Sequence, residues 1–433
     1  MKFNKLVAVC LIFGVAVNCT SSERTDGSSK PTSNPTPAAN PPGTSPSAGV
    51  TGLSSTAEAH AASVVSGPSV TGTNVMQVTV NGSLCGPVES QYVNQPCTSV
   101  TICPAGSTSG CQTINNILLD TGSFGLRIFS SAINISLTQK NDTSGNPVAE
   151  CAHFGSGTDW GPVKMANVIL GGEPAVQVPI HVIDSTFAKY PASCGTPDTS
   201  PEDAGFNGIL GVGLFADDCG SGCASDANNG MYYSCVGNSC TGIKMPVAQQ
   251  VTNPVALLPE DNNGVVLVLP SVPTGGVGTV NGTLFLGIGT QDNNTPTGVT
   301  KIPANSSGEM STTYAGNTTS AILDSGSNGI FFDNSGQPFC ASPAPDWFCP
   351  TSLQTLSATH KGSGGSPNLA VSFKIGNFLN YWNTTTNAVF SDVGARSGHS
   401  MFIWGLPFHF GRSVYVGIEN TTSTIGTGPY WAY

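Results

Sequence analysis

Ile117-Leu118-Leu119-Asp120-Thr121-Gly122-Ser123 and Ala321-Ile322-Leu323-Asp324-Ser325-Gly326-Ser327 repeat one pattern, 204 residues apart. Each is a short aliphatic run, read as a buried strand, that ends in Asp, a hydroxyl residue, Gly and Ser. A strand end holds a carboxylate in a fixed place. A Gly two residues later removes the side chain that would keep a second backbone away. The flanking hydroxyls can hydrogen-bond neighbouring backbone and hold the loop's shape. If two such loops meet, their carboxylates come within hydrogen-bonding distance, and two like charges that close share one proton over a wide pH range. The ionised partner can activate a water while the protonated one polarises a carbonyl, which is general acid–base hydrolysis of an amide without metal, cofactor or covalent intermediate. One Asp-Ser/Thr-Gly alone is an ordinary strand-to-turn junction. Two copies, about one lobe apart, single out Asp120 and Asp324 as a catalytic pair.

The composition around these motifs suits strands. Of 433 residues only 9% are charged, against about 25% in an ordinary soluble domain. Long helices and coiled coils need charged wet faces, so they are excluded. With 14 Lys+Arg against 25 Asp+Glu and a net charge of −11, the chain lacks the basic stripe that nucleic-acid binding requires. A chain with 53 Gly and 31 Pro, rich also in Thr, Val, Asn and Ser, reads as strands and tight turns. Few cations also mean few salt bridges for acid to break, so tolerance of acid is expected.

Residues 1–18 read as an export signal, with Lys2 and Lys5 ahead of the apolar run Leu6–Val17. That run is too short to span a bilayer. Ala16-Val17-Asn18-Cys19 is similar to a bacterial lipoprotein cleavage box. Acylation of Cys19 would tether the chain to a membrane, and ordinary cleavage would leave it secreted or periplasmic. Residues 19–68, built of Ser, Thr, Pro, Gly and Ala, read as a disordered spacer. Setting Cys10 and Cys19 aside leaves twelve of the 14 cysteines, an even number that in an exported chain implies disulfides. Cys103 and Cys111 bracket a turn-rich stretch, and Cys340 and Cys349 can close a second short loop. Cys219, Cys223, Cys235 and Cys240 have a spacing that loosely suggests zinc, against which the compartment favours disulfides.

The two Asp motifs resemble the active-site loops of the pepsin-like, two-lobed aspartic peptidases. Three further stretches fall in family order. Phe154-Gly155-Ser156-Gly157-Thr158-Asp159-Trp160-Gly161 resembles the flap hairpin that closes over substrate. Phe206–Gly213 resembles the stretch that threads behind the first loop, and Phe402–Phe408 its C-lobe counterpart. Leu284–Gly289 is similar to the strand that joins the lobes. Together these cover about residues 72–420. Asn253-Pro254-Val255 combined with Asp120–Ser123 also resembles a family of exported bacterial proteins of unknown function marked by those two motifs. That likeness implies a bacterial, cell-envelope or secreted setting and brings no activity.

Three departures stand out. The family's flap Tyr is Phe154 here, and the Trp that it hydrogen-bonds is Arg127, so the flap must be held otherwise. Arg127 either puts a cation near the pair or points to solvent. The Lys-rich inhibitory prosegment of pepsin-like zymogens is missing, since the spacer offers only Arg24 and Lys30. Competing constellations fail: none of His60, His153, His181, His360, His399 and His409 precedes Gly-Thr, and Gly43-Thr44-Ser45 lies in the spacer, so a subtilisin-like reading lacks its parts. No His-Glu-x-x-His or Gly-Lys-Ser/Thr occurs. Asn-x-Ser/Thr triplets such as Asn134-Ile135-Ser136 arise from composition.

The resemblance implies a mainly β, two-lobed pepsin-like fold with its cleft between an N-lobe (69–290) and a C-lobe (291–433). Asp120 and Asp324 would be catalytic. Thr121, Ser123, Ser325 and Ser327 would support the loops, with Gly122 and Gly326 permitting their approach. Phe154 and Gly155 would cap substrate, and Phe124, Leu126, Trp160, Ile330 and Phe331 would line apolar subsites. The substrate would be a peptide or unfolded protein held as an added strand by a monomer. The rival is a non-catalytic envelope protein that uses the fold for binding or surface display.

Overall fold

Alternation builds the sheets: along Asn368–Ile375, Asn368, Ala370, Ser372 and Lys374 face outward while Val371, Phe373 and Ile375 are buried. Repeated over the chain, such runs give a mainly β protein in this computed structural model. It describes residues 63–433, apart from Glu89, Asn334, Ser335, Thr385 and His399. The expected signal peptide, Cys19 and the spacer up to residue 62 lie outside the described residues. The longest described helix is Phe378–Thr384, and no described helix is long and apolar enough to cross a membrane.

Seventeen strands join into one branched sheet and seven into a second. The first Asp strand (Gln112–Asp120) and the strand that leaves its loop (Phe124–Phe129) belong to the larger sheet. Between them runs Gly208–Val212, parallel to the first and antiparallel to the second, with Gly211 opposite both Asp120 and Gly125. The smaller sheet repeats this arrangement. Met401–Trp404 lies parallel to Asn317–Leu323 and antiparallel to Ile330–Phe331. Each Asp loop is thus strapped from behind by a later strand. Both straps pack tightly against the loops at glycines, Gly211 and Gly405 among them. A Cβ at Gly211 would stand 2.5 Å from the Phe124 nitrogen, and one at Gly405 2.5 Å from the Ser327 oxygen, so neither position has room for a side chain.

Two expected boundaries are corrected. The spacer does not extend to residue 68, because Val64–Ser66 is a strand, parallel to Thr279–Asn281. Its β-branched valines and a free sheet edge outweigh the polar composition around them. Nor does 290/291 separate the sheets. Lys301–Pro303, Arg412–Gly417 and Tyr430–Ala432 return to the larger sheet, and Arg412–Gly417 pairs with Gly264–Leu269.

One continuous apolar core draws on both sheets, with smaller clusters around Trp160 and around Tyr415. Six disulfides staple the chain: Cys85–Cys97, Cys103–Cys111, Cys151–Cys194, Cys219–Cys223, Cys235–Cys240 and Cys340–Cys349. The four cysteines that could have held zinc are therefore bonded to one another. A chain stapled in this way is an exported protein, since thiols stay reduced in the cytoplasm.

Candidate active site

The two Asp loops meet and grip each other. Thr121 Oγ1 donates to the Leu323 carbonyl (3.0 Å) and accepts from the Ser325 amide (2.9 Å). Ser325 Oγ donates to the Leu119 carbonyl (2.8 Å) and accepts from the Thr121 amide (3.0 Å). These two hydroxyls bond across the loops, not within them. Ser123 and Ser327 do act locally: each donates its hydroxyl to its own Asp Oδ2, the Ser327 bond at 2.5 Å. The amides of Gly122 (2.8 Å) and Gly326 (2.9 Å) donate to the Oδ1 atoms.

This clasp brings the Asp120 and Asp324 carboxyls together, close enough for each to shift the other's proton affinity. Gly122 makes the approach possible, because a Cβ there would stand 2.7 Å from Asp324 Cγ. Both carboxyls are completely buried. Burial raises Asp120 from 3.8 to about 6, against the lowering effect of its bonds to Asp324, Ser123 and Gly122. Burial also raises Asp324 well above the usual carboxylate range, and the neighbouring Asp120 charge adds to it. Burial thus makes both carboxyls harder to ionise, and the Asp120 charge adds to this at Asp324.

Arg127 does not point to solvent. It is fully buried. One guanidinium nitrogen donates to the Phe124 carbonyl (2.6 Å), and the other bridges Glu150 (2.7 Å) and Asp218 (2.9 Å). Its guanidinium also stands 5.6 Å from the centre of the Phe154 ring. Burial opposes its charge, but Glu150 and Asp218 outweigh that and raise its pKa. Its positive charge slightly favours ionised Asp120, as the last of the effects on that carboxyl. Burial and the Glu150 charge push Asp218 well up. For Glu150, Arg127 and His181 overcome burial and hold the pKa below its ordinary value. His181, kept neutral by burial, falls to about 4.

Phe154 and Gly155 lie at the end of a hairpin formed by Val148–Phe154 and Gly157–Ile169, with Phe154 opposite Gly157. The residues expected to line apolar subsites fall in different surroundings. Leu126 and Phe331 are enclosed core residues. Trp160 turns to the far side of the hairpin, packs against Tyr233 and donates its indole N–H to the Phe187 carbonyl. A strand in a two-sided core buries both faces, so apolar residues beside the motif are packing. Phe124 stacks edge-on against Phe215, which lines a cavity of about 510 Å³. Ile330 lines a smaller one of about 210 Å³ with Phe373, Phe408 and Arg412.

Two contributors, Tyr92 and Asn94, carry no sequence signal. Tyr92 is buried with its hydroxyl unpartnered, and burial followed by the Asp120 and Asp324 charges raises its phenol. Asn94 ties the two halves together by bonding the Asn328 and Phe390 carbonyls (2.9 Å each) and the Phe390 amide (2.7 Å). Asn253 opens Asn253-Pro254-Val255. It caps the Val255 amide (3.1 Å) and donates to the Gly213 (3.3 Å) and Phe215 carbonyls. Gly213 in turn bonds the Ser123 carbonyl through its amide (2.9 Å). The Asn-Pro-Val and Asp-Thr-Gly-Ser motifs are thus two ends of one buttress.

Fold and site define a class: an exported, mainly β protein organised around two hydrogen-bonded buried carboxyls. The family described as "Protein of unknown function (DUF3443)" matches residues 70–433, and the chain belongs to it. Comparison with curated proteins finds no match.

Proposed function

We propose that this protein is an aspartic endopeptidase-like hydrolase with a two-lobed, pepsin-like arrangement. The observation that carries this reading is the clasp that presses Asp120 and Asp324 into one proton-sharing pair. The pair of matching strapped loops supports the architecture.

Asp120, the more acidic member, is the base. It takes a proton from water as the water oxygen bonds to the peptide carbonyl carbon, while Asp324 gives its proton to the carbonyl oxygen. Asp120 then passes its proton to the amide nitrogen as the C–N bond breaks. Asp324 recovers a proton from the tetrahedral intermediate. The Ser and Gly donors on each Asp hold the carboxyls in line and need not reorganise as charge moves. The Phe154–Gly157 hairpin is the flap, and it must open to admit an extended peptide, because the pair is fully enclosed.

That enclosure also favours a second reading, a non-catalytic envelope protein that uses the fold for binding. One experiment separates them. Purified protein is incubated with an unfolded substrate from pH 3 to 8, with and without a statine-type inhibitor. Inhibitable cleavage that disappears in Asp120→Asn and in Asp324→Asn supports the peptidase. No inhibitable cleavage selects the binding protein, and cleavage that survives both substitutions overturns the Asp pair as its source.

A further inference from the structure

Arg127 occupies the position where the resemblance led us to expect a Trp bonded to a flap Tyr, and neither residue is present. The site is not left loose. Four elements converge on one guanidinium: the first Asp loop through the Phe124 carbonyl, the hairpin's first strand through Glu150, the hairpin's end through the Phe154 ring, and the loop after the Gly208–Val212 strap through Asp218. Tyr232 extends the cluster by donating to Asp218 (2.6 Å) and accepting from the Val251 amide (2.7 Å), two residues before Asn253.

We infer that Arg127 is a positioning residue, and that with Glu150 it forms a buried ionic clamp that fixes the flap strand over the first Asp loop. The inference rests on the peptidase reading for what the flap covers, but not for the clamp itself. The chemistry suits the task. A planar guanidinium holds its donors in a fixed fork that meets a carbonyl and two carboxyl groups in set directions, whereas an ammonium's three donors turn about a single nitrogen. The cluster's charges also close, with one guanidinium balanced by ionised Glu150 while Asp218 keeps its proton and His181 stays neutral. Glu150 lies on the hairpin's first strand and Asp218 on the loop after the strap, so losing Glu150 frees the hairpin directly, whereas losing Asp218 acts on it only through Glu150 and Tyr232.

The test uses Glu150→Gln, Arg127→Lys and Asp218→Asn in the full-length protein. Glu150→Gln keeps the cluster neutral, because Asp218 can ionise opposite Arg127, so the variant is expected to fold. The first readout is amide hydrogen exchange over residues 150–160, with residues 354–375 of the smaller sheet as reference. Glu150→Gln and Arg127→Lys should raise hairpin exchange about ten-fold over the reference, and Asp218→Asn clearly less. The second readout is the affinity for a statine-type inhibitor, which should weaken about ten-fold in the same two variants, equivalent to about 1.4 kcal/mol. Equal loosening in Glu150→Gln and Asp218→Asn, or loosening spread evenly over the reference, overturns the clamp. Selective hairpin loosening in a protein that never binds the inhibitor upholds the clamp and overturns the peptidase reading.

Discussion

Replacing Asp120 by Asn should stabilise this protein at neutral pH and leave it nearly unchanged in acid. The folded state raises the Asp120 pKa from 3.8 to about 6, chiefly by burial. A carboxyl raised in this way binds its proton more tightly folded than unfolded. It costs nothing below about pH 4, costs progressively more between pH 4 and 6, and costs its full amount above. A shift of roughly two units corresponds to about 3 kcal/mol. The introduced amide would keep an Oδ1 acceptor for the Gly122 N–H, and Ser123 could accept from its nitrogen, so the pH-independent change should be small. Urea unfolding of wild type and variant at pH 4, 5.5 and 7 measures the difference directly. The variant's advantage should grow with pH and reach about 3 kcal/mol. A difference constant within about 0.5 kcal/mol, or one that grows toward acid, would refute the claim that the site forces this carboxyl to hold its proton.

Thr121→Val removes one hydroxyl but orphans two buried backbone groups, the Leu323 carbonyl and the Ser325 amide. It should cost about 2–5 kcal/mol by urea unfolding, while Thr121→Ser costs under about 1 kcal/mol. Asn253→Ala should cost about 1–2 kcal/mol in the same assay, through loss of a helix cap and of the buttress behind Ser123. Acid should destabilise the molecule through its buried histidines. Burial lowers His181 to about 4 and His360 and His409 to about 3, from 6.5. Their contribution is present above about pH 6.5 and lost as pH falls toward 3–4. His409→Gln should therefore lose less stability than wild type between pH 6.5 and 4.5.

The buried histidines set a prediction against the expectation of acid tolerance drawn from scarce Lys and Arg. Counting cations predicts how few salt bridges acid can break, but not which neutral imidazoles are enclosed. What was legible in the sequence was local. Aliphatic runs ending at Asp120 and Asp324, and the Gly-rich straps that follow, declare themselves within a few residues because strand burial and close backbone approach impose short patterns. What was not legible was long-range. Thr121 and Ser325 bond each other's loops across more than 200 residues of chain, and no spacing rule distinguishes that from a hydroxyl bonding its own turn. Arg127 was visible as a departure, but its partners Glu150 and Asp218 have no motif. Apolar residues beside a catalytic loop look alike in sequence whether they face a cleft or a core; Leu126 and Phe331 are enclosed, and Trp160 packs on Tyr233.

The central claim is that Asp120 and Asp324 act as one pair sharing a proton. The measurement that tests it most directly is the pH dependence of kcat/KM for cleavage of an unstructured peptide, over the range where circular dichroism shows the protein folded. The base must be ionised while its partner stays protonated, so kcat/KM should rise as pH increases through about 6, and the rise should vanish with the activity in Asp120→Asn. A rate that is flat through that range, or a profile that Asp120→Asn leaves intact, would contradict the account.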